Sequence, residues 1–294
     1  MNWAARKERG SEFSLKLICW LARFSGRSFC RALLYPIAGY FMATDKVARK
    51  ASTDYLGSVN GRPPTIAEVL RHFHCFATTL LDRVYLANHQ IERFQITIEN
   101  RDLVDTTLAK GHGCVLLGSH LGSFDIMALA REAINDRPLN IMMRVDPSAR
   151  LRKIAGLDDR GLKIIPFGLP QSLLMAHQAL EEGEVVAILA DRIYGRSTIP
   201  VTLFGRPAKM PKSPYLLAAR SNAPILVCFG VYEGGNRYRI IFVDPLIFLN
   251  NTSRGEDITA AAQTYAHVLE MYARQYPYNW FNFYPYWTDV QDSP

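Results

Sequence analysis

Residues 114–127 read CVLLGSHLGSFDIM, a continuous apolar run that breaks at Gly118, passes through Ser119 and His120, and resumes beyond Gly122 in a pattern suited to a helix. A short apolar run bounded by turn residues is what a strand buried on both faces looks like. Glycines at 118 and 122 make the intervening turn permissive. Strand, turn and helix in that order are the repeating unit of an α/β sheet.

The same unit recurs along the chain. Strands are expected at 94–98, 114–119, 139–144, 162–166, 185–190, 224–229 and 238–243, with helical stretches at 100–110, 122–135, 147–156, 171–182 and 213–221 between most of them. A helix at 65–87 precedes this region, and one at about 256–276 leads into the aromatic tail PYNWFNFYPYW. Ser213 followed by Pro214 reads as a helix start, with serine as cap and proline in the first position. The expectation is an α/β fold with a mixed, largely parallel sheet and helices on both faces.

The 294 residues are 49% hydrophobic, enough for one large domain or for one domain plus a helical appendage. A formal charge of +7 favours an anionic partner without choosing between nucleic acid, lipid and an acidic protein. Cys19, Cys30, Cys75, Cys114 and Cys228 lack CxxC spacing and read as small core hydrophobes in a reducing compartment. The first twelve residues are charged and no cleavage site follows an apolar segment, so no cleavable leader is expected.

Residues 1–60 carry the expected membrane contact. Lys16, Arg23, Arg27 and Arg31 fall on one helical stripe while Leu17, Ile18, Leu21, Phe29 and Ala32 lie elsewhere, a basic amphipathic pattern. The charge-free run 32–44 contains Pro36 and Gly39 and falls short of the roughly 20 residues that span hydrocarbon. An interfacial anchor on anionic lipid is the reading, against a helical pair packed on the domain at 61–294 or a short tilted span.

Chemistry concentrates at the ends of expected strands, where α/β folds hold their ligands. His120 follows the run at 114–119, Arg144 ends 139–143, and Asp191 and Arg192 follow 185–190. His120 and Asp125 suggest a general-base pair, with Asp125 holding one imidazole nitrogen as donor and the other free to accept a proton from a hydroxyl. That spacing alone would arise by chance roughly 0.6 times in such a chain. His177 and Glu182 share it inside one helix, where the two side chains diverge and face solvent. Arg144 and Arg192 could bind phosphate or stabilise an oxyanion beside backbone amides at the helix start, with Asp191 orienting an arginine or a substrate hydroxyl. For each residue singly, a loop salt bridge is the simpler account.

Other chemistries fit less well. GSHLG has histidine where a nucleophile elbow needs serine, so Ser119 and Ser123 are poor nucleophiles. HFHC at 72–75 lacks spaced partners, and no HExxH, GxGxxG or phosphate loop occurs, so neither metal nor nucleotide cofactor is expected. Dispersed basic residues match no nucleic-acid module.

GSHLGSFD resembles the His-x4-acid motif of glycerolipid acyltransferases, and the wider chain is similar to the bacterial lipid A biosynthesis late acyltransferases. WAARKERG, ALLYPIAGYF, GHGCVLLGSHLGSFD, ILADR, VTLFGRPAKMPKSP and WFNFYPYW carry the likeness in order and spacing. The resemblance implies His120 and Asp125 as the catalytic pair and Arg144 and Asp191 as matched polar residues. It also implies that the stretch FGRPAKMP, with Phe204 and Gly205, helps build the acyl and acceptor cleft, and Gly122 and Arg192 are further substrate-binding candidates. It implies transfer of a fatty acyl group from acyl carrier protein, or less readily coenzyme A, to a lipid hydroxyl at the cytoplasmic face of the inner membrane, with no metal. A lysophospholipid acceptor, a serine esterase and an inert lipid-binding protein are the alternatives. WFNFYPYW lacks the basic ending common in lipid A enzymes and looks more like the relatives encoded beside aryl polyene pathways, which leaves the acceptor open; the sequence does not give the oligomeric state.

Overall fold

The computed structural model describes residues 26–109, 113–129, 134, 137–143, 162–169, 171–193, 197–247 and 255–287. Among the described residues three helices come first: α1 (Gly26–Thr44), α2 (Lys46–Asn60) and α3 (Ile66–Ala87). The α3 start is a capping box in which the Thr65 hydroxyl accepts from the Glu68 amide while Glu68 accepts from the Thr65 amide. Then follow β1 (Gln95–Glu99), α4 (Arg101–Leu108), β2 (Cys114–Gly118), α5 (Phe124–Met127), β3 (Leu139–Met143) and β4 (Leu162–Pro166). The second half contains α6 (Ser172–Glu181), β5 (Val185–Leu189), β6 (Thr198–Leu203), β7 (Arg206–Pro211), α7 (Ser213–Arg220), β8 (Ile225–Gly234), β9 (Arg237–Ile247) and α8 (Gly255–Gln275).

The expected α/β architecture is present. Seven strands form one sheet in the order β1-β9-β8-β2-β5-β3-β4. Neighbours run parallel except β8 and β9, an antiparallel hairpin. The central strands are apolar throughout because both faces are covered, and their alternating side chains divide the interior in two. Val115, Leu117, Val186, Ile188 and Val227 meet α2, α6, α7 and α8 on one face. Cys114, Leu116, Val185, Ala187 and Cys228 meet α1, α3 and α4 on the other. Cys30, Cys75, Cys114 and Cys228 are buried free thiols, as core packing expects.

Two local features depart from the expected pattern. Residues 198–211 form an unforeseen second sheet, the antiparallel hairpin β6–β7 closed by Phe204 and Gly205, both at positive φ. A two-residue turn of that hand matches the twist of a hairpin. Ser213 is already helical, Lys212 occupies the cap position, and no side-chain cap bond forms.

The basic stripe of α1 faces inward rather than toward lipid. The Arg27 guanidinium bonds both oxygens of buried Asp82 at 2.7 and 2.6 Å, and the Tyr238 hydroxyl donates to the same carboxylate at 2.6 Å. Arg31 lies over the Tyr232 ring. Buried Asp82 supplies a charge that the guanidinium must match, and that pairing turns the stripe inward. The exposed aromatic residues of α1 are Phe29, Tyr35, Tyr40 and Phe41, of which Tyr35 also stacks on His74 of α3. Lys16 and Arg23 lie outside the described residues. Among those described, no helix is long and apolar enough to cross a membrane.

Candidate functional site

Parallel register builds the centre of the site. Gly118 at the end of β2 pairs with Leu189 at the end of β5, and the Ala190 amide extends the ladder to the Gly118 carbonyl at 2.9 Å. Two residues farther on each strand lie His120 and Asp191, side by side at the spacing of neighbouring strands. His120 Nδ1 and Asp191 Oδ1 are 2.8 Å apart, and the His120 amide donates to Asp191 Oδ2 at 3.0 Å.

The imidazole's carboxylate partner is therefore Asp191, not Asp125. The segment after His120 does not turn back on itself. It is held by two β-bridges, Leu121 to Trp280 and Gly122 to Gly230. Asp125, in the first turn of α5, points at α3, where Arg83 Nε donates to its Oδ2 at 2.7 Å. Gly122 is required by close packing: at φ +88° a β-carbon there would sit 2.1 Å from the Gly230 carbonyl oxygen. The Leu121, Gly122 and Ser123 amides donate to Ser119 Oγ, the Asn279 carbonyl and the Gly230 carbonyl. Those three amides are thus already committed within the protein.

Asp191 is fully buried and surrounded by donors. Besides both His120 bonds, its Oδ2 accepts from Trp280 Nε1 and Asn282 Nδ2, each at 2.9 Å. Burial alone would raise the carboxyl pKa, but the His120 ring, its hydrogen bond and Arg192 outweigh that and hold it well below the usual carboxylate range. An ionised carboxylate only accepts, so Nδ1 must be the protonated nitrogen and Nε2 carries the lone pair. Burial pulls the imidazole below the ordinary histidine value; Asp191 opposes this, and the Arg192 and Arg83 charges reinforce it. With 21% of its side chain exposed, His120 presents an oriented imidazole at a partly open edge of the site.

Arg192 lies beside this pair but is tied to the tail: Nε donates to Asn282 Oδ1 at 2.9 Å and one Nη to the Phe281 carbonyl at 3.0 Å. Phe204 is joined to the site through packing, and Gly205 follows it in the turn of the β6–β7 hairpin. The Phe204 ring sits against Tyr55, Trp280 and Trp287, and its amide donates to Glu270. Arg144 lies outside the described residues. Ser119 and Ser123 use their hydroxyls as acceptors for the Leu121 and Ile126 amides. His72 bonds Ser52 and the Trp280 carbonyl, and His74 bonds the Arg31 carbonyl. His177 reaches Ser221 on the neighbouring helix rather than Glu182.

Sequence reading missed Trp280, Asn282, Asn279 and Arg83. The tail offered one signal, polar asparagines within an otherwise aromatic run; buried amides of that kind need partners.

Residues 14–289 match the family model described as bacterial lipid A biosynthesis acyltransferase. Among curated proteins, the chain is 25% identical over 197 residues to a phosphatidylinositol mannoside acyltransferase of Mycobacterium tuberculosis (strain ATCC 25618 / H37Rv), covering 65% of this chain and 60% of that protein. It is 25% identical over 204 residues to the protein of the same description from Mycolicibacterium smegmatis, covering 68% of this chain and 65% of that protein. The chain thus spans less than two thirds of the length of these relatives.

Proposed function

The chain belongs to the bacterial lipid A biosynthesis acyltransferase family, and on that premise we propose that it moves a fatty acyl group from a thioester to a hydroxyl of a lipid acceptor. The observation that carries the reading is the His120–Asp191 pair, with an ionised carboxylate on Nδ1 and a lone pair on a reachable Nε2. Nε2 takes the proton of the acceptor hydroxyl as its oxygen attacks the thioester carbonyl carbon. The tetrahedral oxyanion collapses, the carbon–sulfur bond breaks, and the departing thiolate takes the proton back from the imidazolium. Asp191 keeps the ring in the required tautomer throughout and stabilises its transient charge.

Asp125 enters this scheme through Arg83, which it holds within electrostatic reach of the ring. Arg144 or backbone amides at the start of α5 are the candidates for the oxyanion, the Leu121, Gly122 and Ser123 amides being engaged elsewhere. Gly122, Arg192, Phe204 and Gly205 shape the surroundings of the acceptor and acyl chain. No metal or nucleotide takes part in a step.

The acceptor we propose is a glycolipid hydroxyl, a class to which the mannoside relatives' description points. Acyl carrier protein is the favoured donor because a chain of net charge +7 suits an acidic carrier. Residues 1–60 form the membrane-associated part and 61–294 the acyltransferase domain. The outward aromatic residues of α1 would rest at the interface on the cytoplasmic side of the inner membrane, where tyrosine and phenylalanine are well placed.

Lipid mass spectrometry of cells making wild type or His120→Ala tests the proposal. A lipid species that gains an acyl chain with wild type and lacks it with the variant is the expected result. Identical profiles, with both proteins expressed and folded, would overturn it.

A further inference from the structure

The aromatic tail does more than close the core. Asn279 to Asn282 run alongside the catalytic loop: the Gly122 amide donates to the Asn279 carbonyl at 2.8 Å, and the Phe281 amide to the His120 carbonyl at 2.9 Å. The Asn279 side chain is fixed against Tyr232 by donation to its carbonyl at 3.1 Å and acceptance from its amide at 2.8 Å. From this frame Trp280 and Asn282, both buried, reach a single oxygen of Asp191.

We infer that Trp280 and Asn282 are positioning residues that set the basicity and orientation of His120 through Asp191 Oδ2. This rests on His120 as the general base and assigns the tail a task within the same site. The two donors, with the His120 amide, occupy Oδ2 and leave Oδ1 to face Nδ1. They also draw off negative charge. A carboxylate with several donors stabilises a neighbouring imidazolium less than one with few, so the tail keeps the ring neutral while fixing its direction. Removing a donor concentrates charge on Asp191 and raises the His120 pKa.

The other charges around the pair act in known directions. Arg192, held by Asn282 and the Phe281 carbonyl, and Arg83 on α3 both oppose protonation of His120. Asp125 on α5 offsets Arg83. Tyr265 on α8 donates to the Gly118 carbonyl at 2.7 Å, and burial pushes its pKa up, as it does that of Tyr286 in the tail, so neither titrates near neutrality. His72 on α3 meets the Trp280 carbonyl, and burial pushes it down to about 4.

The test is a pH titration of the full chain, labelled at the histidine ring carbons and tryptophan indole nitrogens, by nuclear magnetic resonance. The His120 and Trp280 signals are identified by their loss in His120→Gln and Trp280→Phe. Trp280→Phe should raise the His120 midpoint by about half a unit to one unit, where one unit is tenfold in the ratio of neutral to charged ring. Asn282→Asp is isosteric, retains the acceptor for Arg192 and replaces a donor with a like charge, so its midpoint should rise by at least as much. Acyl transfer in both variants should fall in kcat more than in KM, because neither side chain touches substrate. In the wild type, the Trp280 indole signal should move with the His120 midpoint, a readout that needs no variant. An indole signal insensitive to that titration, or a folded variant whose midpoint moves by under about 0.2 unit, overturns the inference. The general-base reading fails separately, if His120→Ala still transfers acyl groups.

Discussion

His72 and His120 are both coupled to Trp280, one through the backbone carbonyl of that residue and the other through the carboxylate its indole holds. His72 is fully enclosed: Nε2 must donate to the carbonyl, so Nδ1 accepts from the Ser52 hydroxyl at 2.8 Å. His120 has one nitrogen on an ionised carboxylate and the other turned to a partly exposed edge. Burial lowers both pKa values, yet only His120 combines a fixed tautomer with a lone pair for an incoming proton. What suits His120 to the proposed role of base is one hydrogen bond fewer inside the protein and a carboxylate on the other side.

Breaking the carboxylate side should have the largest effect. Asp191→Asn presents an amide that donates to Nδ1 and reverses the tautomer, so kcat/KM should fall about 10³–10⁴-fold, as when a triad carboxylate is replaced by its amide. Asp125→Asn should cost under roughly tenfold, because its link to the ring runs through the Arg83 charge, and a surface-modulated charge changes a rate modestly. Steady-state assays with an acyl thioester and membrane lipid would separate the two. An Asp125 variant as inactive as the Asp191 variant would restore Asp125 to the pair expected from the five-residue spacing.

Breaking the other histidine should reverse the pattern. His72→Ala strands the Trp280 carbonyl and Ser52 hydroxyl in the core and opens a cavity, costing roughly 2–4 kcal/mol in a denaturation experiment. His72→Gln can still donate to the carbonyl and should recover part of that loss. The acid limb of the pH–rate profile should be unchanged in folded His72→Gln, since His72 stays neutral to about 4.

For His120 the acid limb is itself informative. Protonation removes the base, and burial with Arg192 and Arg83 lowers its pKa, so kcat/KM should hold to below pH ~6.5 before falling as pH drops. Arg83→Met removes a positive charge and leaves Asp125 uncompensated. Both changes favour the imidazolium, so the limb should move to higher pH. A limb that moved down would show that Arg83 acts on the ring by some route other than its charge.

How far these features could be read without coordinates depends on the range of the interactions. The runs at 114–118 and 185–189 announce buried strands because every residue in them is apolar, and a strand covered on both faces demands that. His120 and Asp191 stand out as polar ends of those runs, but their partnership is a matter of register between strands 71 positions apart. The β6–β7 hairpin was concealed by Pro200, Pro207 and Pro211, which argue against a central strand but are tolerated in a two-stranded sheet. The stripe on α1 was legible as a stripe; its direction was not, because Asp82 and Tyr238, which turn it inward, belong to α3 and β9.

The smallest effect belongs to Ser119, and it sharpens what His120 is for. Its hydroxyl accepts from the Leu121 amide at 3.2 Å, a local bond between neutral groups. Ser119→Ala should therefore cost about 0.5–1.5 kcal/mol of stability and leave acyl transfer within a few-fold of wild type. A serine nucleophile requires its hydroxyl on the catalytic imidazole, and an acyl-enzyme would add the mass of the fatty acyl group to the intact protein. If Ser119→Ala abolished transfer and wild type incubated with donor alone gained that mass, His120 would be activating the enzyme's own hydroxyl. If the variant remains active and no mass is gained, Nε2 acts on a hydroxyl that arrives with the acceptor lipid.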